Sequence, residues 1–159
     1  MTALSAAETI LRVAGLNAAY AAAIDDDRLE DWPAFFLDQC LYKITSADNI
    51  RDGNEAGIIY ADSRAMLADR VLSIRRANVF ERHSYRHIVG MPVAHASRDG
   101  IAAETPFVVV RTMRDGRMDL FVAGRYCDRL VDNGGRLQLR ERVVICDSSR
   151  FDTLVAIPL

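Results

Sequence analysis

Three histidines, His83, His87 and His95, are the side chains of this 159-residue chain best suited to metal or acid–base chemistry, and their spacing restricts both. His83 and His87 are four apart, which puts two imidazoles on one face only in a helix, whereas Tyr85 to Val93 reads as extended. His87 and His95 share a strand face in an unbroken strand but lie more than ~20 Å apart at about 3.3 Å per residue, too far for one ion. Zinc-ligand spacing, a two-histidine-one-carboxylate pattern, a nucleophile elbow, a phosphate loop and a dinucleotide fingerprint are all missing. The expectation is a chain with no catalytic, cofactor-binding or metal-binding residue of its own.

Arg86-His87 is the most suggestive dipeptide, because neighbouring strand residues point to opposite faces and one of the two must look inward, where it needs a partner. A structural hydrogen-bonding role is the plain reading. If His87 instead faces Tyr42, Tyr60 or Asp62, a general base titrating near neutrality becomes possible. That is the alternative reading, a free-standing dehydratase, isomerase or cyclase with a His87 pocket; a small-ligand binding module is a third. Gly124 to Arg129 and Arg140-Glu141-Arg142 fall on adjacent strands about a turn, so cross-strand ion pairs between them are expected. Such a face is either solvated and self-neutralising or a charged surface that docks a partner. Arg86, His87, Arg125, Asp128 and Arg140 are thus the candidate structural or interface charges.

The elements that must position these groups follow from turn chemistry and periodicity. Asp99-Gly100, Asp115-Gly116 and Asn133-Gly134 supply the positive φ that tight hairpins need, between segments rich in Val, Phe, Tyr, Thr and Leu. They predict a four-stranded antiparallel meander over Ser84–Ala96, Ile101–Met113, Met118–Val131 and Arg136–Asp147. Strands of that length must twist and curl. Ahead of them, Ser5 and Glu8 form a capping box that starts a helix running to about Asp25, with Asp25, Asp26 and Asp27 at its solvated end. Trp32, Phe35 and Phe36 mark one face of a short second helix over Arg28–Leu37. Cys40, Tyr42 and Ile44 alternate as a short strand, and Asp48 to Gly57 reads as an exposed loop. Asp62 caps a third helix with Leu67, Val71 and Ile74 inward and Arg64, Arg75 and Arg76 toward solvent or a partner. Trp32, Phe35, Phe36 and Tyr42 are assigned to the core. The order is α+β: a strongly curved antiparallel sheet wrapped around N-terminal helices, one domain over 1–159.

A net charge of −2 gives no support for nucleic-acid binding. The charge is uneven: residues 1–60 carry ten acidic against four basic side chains, so the second half is the basic one. Arginine supplies 19 of the 20 basic residues, which either suits bidentate pairing with carboxylates across interfaces or reflects a GC-rich genome. Cys40, Cys127 and Cys146 are odd in number and scattered, as reduced cytoplasmic thiols are. No secretory signal or membrane-spanning run is present.

At this point the chain resembles the small (beta) subunit of Rieske-type aromatic-ring-hydroxylating oxygenases. The matching residues are Trp32 with Phe35 and Phe36, Tyr42, Tyr60-Ala61-Asp62, Arg70, Arg86-His87, Gly124-Arg125-Tyr126 with Asp128, Arg140 with Val143 and Asp147, and a close of Leu154 and Pro158-Leu159. That close is most similar to small subunits paired with salicylate- or benzoate-type hydroxylases. Gly90-Met91 and Thr105-Pro106 depart from the asparagines the family usually has there. The resemblance implies an NTF2-like or cystatin-like cone acting as a non-catalytic subunit of an NAD(P)H-dependent aromatic-ring mono- or dioxygenase. It further implies a large (alpha) subunit holding a [2Fe-2S] cluster and a mononuclear iron, three large with three small subunits around a small-subunit trimer, and a ferredoxin or reductase acting indirectly.

Overall fold

A computed structural model describes residues 5–77, 81–152 and 155–159. Helix α1 (Ala6–Asp25) opens with the expected capping box, the Ser5 hydroxyl accepting from the Glu8 N–H while the Glu8 carboxylate accepts from the Ser5 N–H. Val13, Leu16, Tyr20 and Ile24 recur at helical spacing and are buried together, so one stripe of α1 faces the sheet.

The predicted second helix is a 3-10 helix, Leu29–Phe35. Pro33 has no N–H to return to Leu29, so an α-helical register cannot hold there. Trp32 stays on this turn while Phe36 begins strand β1 (Phe36–Ser46), and both are fully buried. Phe35 packs at the core's margin. The loop expected over Asp48–Gly57 begins as a one-turn helix, α2 (Ala47–Arg51), because the Ser46 hydroxyl caps it by accepting from the Asn49 N–H. Strand β2 (Ile59–Ser63) contains Asp62, which therefore caps nothing. The Ser63 hydroxyl accepts from the Met66 N–H at the start of α3 (Arg64–Ala77) instead. Leu67 and Val71 of α3 are buried as expected, but Arg75 does not face free solvent: it grips Glu30 and Asp27.

The meander forms with one interruption. Its first strand is split into β3 (His83–Val89) and β4 (Val93–Ser97), both antiparallel to β5 (Gly100–Met113). Val89 pairs Phe107 while Val93 pairs Glu104, four residues against three. The extra residue around Gly90–Pro92 reverses which face the following side chains occupy. His87 therefore points in and His95 is exposed, on the opposite face rather than the same one. Strands β6 (Met118–Asn133) and β7 (Arg136–Cys146) follow. The sheet order is β2-β1-β7-β6-β5-β3, antiparallel throughout except for the parallel pair β1–β7.

Helix α1 touches β3 and β4 at one end of this sheet and also β7, with β5 and β6 between. A helix reaches that span because the sheet curls around it. Residues 155–159 close the cone. The Arg70 guanidinium donates to the carbonyls of Val155 and Ala156, and the Tyr20 and Tyr42 hydroxyls both donate to the Leu159 carbonyl. Leu154 of the family-like close lies outside the described residues.

Candidate functional site

Inside the cone, Asp128 and Arg142 stand directly opposite on β6 and β7. Arg142 donates from Nε to Oδ1 at 2.9 Å and from Nη2 to Oδ2 at 2.7 Å, and both side chains are 0% exposed. Nη2 also donates to Asn17 Oδ1, and Asn17 Nδ2 reaches Thr105 Oγ1 at 3.1 Å. The guanidinium is sandwiched between the rings of Tyr20 (4.2 Å) and Tyr126 (4.0 Å). Burial works against its charge, yet the Asp128 carboxylate outweighs that penalty and keeps Arg142 firmly cationic. Burial pushes the Tyr20, Tyr42 and Tyr126 phenols up. This network is a buried, paired polar core in which Arg142 Nη1 and the Tyr126 hydroxyl alone go without a hydrogen bond, not the solvated face that Asp128 offers as a sequence.

His87 meets none of Tyr42, Tyr60 or Asp62. Its partner is Asp25, whose Oδ1 lies 2.6 Å from Nδ1 and whose Oδ2 accepts the His87 backbone N–H at 2.8 Å. Asp25 is no part of a solvated helix end: its side chain is 3% exposed. The last turn of α1 lies over β3, an edge strand whose outer backbone N–H has no neighbouring strand, and Asp25 supplies the missing acceptor. His87 Nε2 makes no hydrogen bond. A cleft of about 620 Å³ opens beside this pair, lined by Asp25, Asp27, Arg75, His83 and Tyr85 among others, but the His87 ring does not reach it.

The remaining candidates face outward. Arg86 is 68% exposed and 3.9 Å from Asp25. Arg125 leans toward Glu104 at 3.6 Å, and Arg140 is exposed beside Arg98 and Arg129. The structure thus separates the five: His87 and Asp128 lie inside, and Arg86, Arg125 and Arg140 outside. The outer face of β3, β5 and β6 also presents Ile88, Met118 and Leu120.

The cross-strand ion pair expected between the Gly124–Arg129 and Arg140–Arg142 segments forms between Asp128 and Arg142, but the five candidates name only Asp128 of that pair and neither Arg70 nor Arg111. Arg142 is central, Arg70 holds residues 155–159, and Arg111 grips both Asp119 (3.0 and 2.5 Å) and Asp152 (2.9 and 2.7 Å) above the Phe121 ring. The usable signal was parity: Arg111 and Arg142 fall on inward positions of otherwise apolar strands, where a charge must be paired. Among the described residues, no group of three or more His, Cys, Asp or Glu gathers as a metal site, and no helix is long and apolar enough to cross a membrane.

Comparison with known proteins agrees with this architecture. A family model for the ring hydroxylating beta subunit matches residues 19–153. Subunit beta 1 of the terminal oxygenase component of terephthalate 1,2-dioxygenase from Comamonas sp. is 45% identical over 150 residues, covering 94% of this chain and 97% of its own. The anthranilate 1,2-dioxygenase small subunit of Burkholderia cepacia is 40% identical over 141 residues, 88% of each chain. A crystal structure assigned as the beta subunit of an aromatic-ring-hydroxylating dioxygenase from Novosphingobium aromaticivorans superposes with a TM-score of 0.86 at 40% identity, over 94% of this chain and 96% of that one.

Proposed function

The chain belongs to the ring-hydroxylating beta subunit family, and from that premise we propose that it supports an iron-containing large subunit and contributes no reacting group itself. It is the small subunit of an aromatic-ring-hydroxylating dioxygenase. In this reading a [2Fe-2S] cluster and a mononuclear iron in the large (alpha) subunit handle electrons and dioxygen. A ferredoxin or reductase delivers the electrons, and three large and three small subunits assemble in the cytoplasm. The whole of 1–159 acts as one small-subunit domain. The substrate class is an aromatic carboxylate, the chemistry that the names of the terephthalate and anthranilate relatives share.

One observation carries the supporting role. The cone, where a free-standing enzyme of this shape would need room for substrate, is filled by its own side chains: Tyr20, Trp32, Tyr42, Tyr126, Arg142 and Leu159 are all fully buried against one another. His87 and Asp128 then hold the fold, and Arg86, Arg140 and the half-buried Arg125 remain as outward charges for subunit contacts.

The test is co-expression. The chain alone should be colourless and inert toward benzoate, terephthalate and anthranilate, whereas purification with its large subunit should give a brown complex that oxidises one of them when supplied with electrons. Turnover of a small substrate by the isolated chain, lost in His87→Ala, would overturn the proposal in favour of a His87 pocket.

A further inference from the structure

Among the described residues, nine of the 19 arginines have a carboxylate within 4.0 Å. Arg12 pairs Asp132, Arg28 pairs Asp31, Arg64 pairs Asp38, Arg75 pairs Glu30, Arg111 pairs Asp119 and Arg142 pairs Asp128. Among the described residues Arg98, Arg129 and Arg140 have no ion pair within 4.0 Å, yet all three line one pocket of about 320 Å³ with Ile101 and Leu130; Asp99 is the carboxylate in that lining, and Glu141 stands opposite Arg129 on the ladder. Like charges around one pocket repel one another, so an arrangement that gathers three guanidiniums there needs a structural cause.

Two backbone devices supply it. Opposite Leu130 the register still runs to Leu139, but Arg129 pairs Glu141, so Arg140 is an extra residue in β7 with no partner across the ladder. A bulge of this kind re-aims its side chain. On the other side, the β4–β5 turn is locked against β6: Gly100 has φ +135°, and a Cβ there would sit 2.1 Å from the Leu130 carbonyl oxygen. The turn is thereby held close to Leu130, and it presents Arg98 beside Arg129 and Arg140. The forks stand on two strands and a locked turn, so a partner has side chains to order there but no backbone.

We infer that this pocket docks a carboxylate-bearing segment, an Asp or Glu on an extended or helical stretch, of the large oxygenase subunit. The inference rests on the small-subunit reading above. Three forks above the apolar wall of Ile101 suit carboxylates carried on side-chain stems, because guanidinium pairs them bidentately. A second copy of this chain is a poorer source, since many of its carboxylates are already committed to its own arginines. Charge pairs at such a rim steer encounter and set register.

The experiment measures association of the purified large subunit with wild-type chain, with Arg98→Glu/Arg140→Glu, neither of which has a ladder partner, and with Arg114→Glu, an exposed arginine on another turn. The double reversal should weaken association by about tenfold or more while Arg114→Glu does not, with thermal unfolding unchanged. Wild-type affinity should also fall steeply as salt rises. Equal affinity of the double variant and wild type would overturn the docking site and leave the small-subunit assignment standing. Failure of wild type itself to associate would instead overturn the assignment. If the double variant unfolds, the wild-type salt titration decides, and a salt-independent affinity overturns the site. Two further results would also overturn it: altered self-association of the chain alone on charge reversal, which marks a contact between copies, or tight binding of free benzoate there, which marks a small-anion site.

Discussion

Asp128 faces Arg142 rather than Glu141 because β7 carries one residue too many. Counting back from the Asn133–Arg136 pair at the turn, an unbroken register would set Asp128 against Glu141 and Arg129 against Arg140, two like-charge pairs. The observed register skips Arg140 and converts both into opposite-charge pairs, Asp128 with Arg142 and Arg129 with Glu141. Like charges directly opposite destabilise a ladder and opposite ones stabilise it, so the bulge and the buried ion pair are one feature.

Removing one member of that pair strands the other in the core. Arg142→Met or Asp128→Asn should each cost about 3–5 kcal/mol, while Asp128→Leu combined with Arg142→Met should recover much of the loss. Urea unfolding of the three variants checks this. Single variants as stable as wild type would mean that the pair is hydrated and not buried as described.

Asp25 serves the His87 ring and backbone at once. Asp25→Ala should therefore lower stability by about 1–3 kcal/mol, the cost of leaving buried donors unmade. Oxygenase turnover per assembled complex should stay at the wild-type level in both Asp25→Ala and His87→Ala. Loss of turnover with assembly intact would assign the dyad a role in the reaction.

At Gly100 an added methyl meets backbone on top of a φ that L-residues avoid. Gly100→Ala should cost on the order of 3 kcal/mol and, by displacing Arg98, weaken large-subunit binding as well. Gly134→Ala has φ +65° and open space around its Cβ, so it should cost only about 1 kcal/mol. Equal effects of the two on denaturant midpoint would remove the argument from close approach.

Acid sensitivity follows from the surface pairs. Charge-assisted hydrogen bonds from Arg75 hold the Glu30 carboxyl down at about 2, and those from Arg111 and Arg12 lower Asp119, Asp152 and Asp132. Folded values below the unfolded ones mean that these groups stabilise fully above the ordinary carboxylate value, roughly 4. The contribution is lost as pH falls through the folded values. Stability should be level from neutral pH to about 5 and fall between about 4 and 2, by a modest amount because the carboxylates are exposed and screened. Arg75→Gln should be less stable than wild type at neutral pH and converge on it near pH 2; a constant gap across that range in urea melts would rule out this source.

Local chemistry alone decided much of this protein. The Ser5–Glu8 capping box, the three Gly-containing turns and the alternating Val, Tyr and Phe between them are each read within a few residues, and the helix and the meander follow from them. The ordered set from Trp32 to Asp147 carried the family. What needed the tertiary structure was every feature set by one residue of register or by contact between distant segments. An extra residue near Gly90 turned His95 outward, and another at Arg140 brought Asp128 to Arg142. Each shifts the in–out alternation of its own strand by one residue, but apolar residues also stand on the outer face there, Val93 exposed and Val143 half-buried, so the sequence alone does not show the shift. Asp25 looked solvated because a helix end says nothing about what lies above it; only the curl of the sheet brings an edge strand with an unmet N–H within its reach.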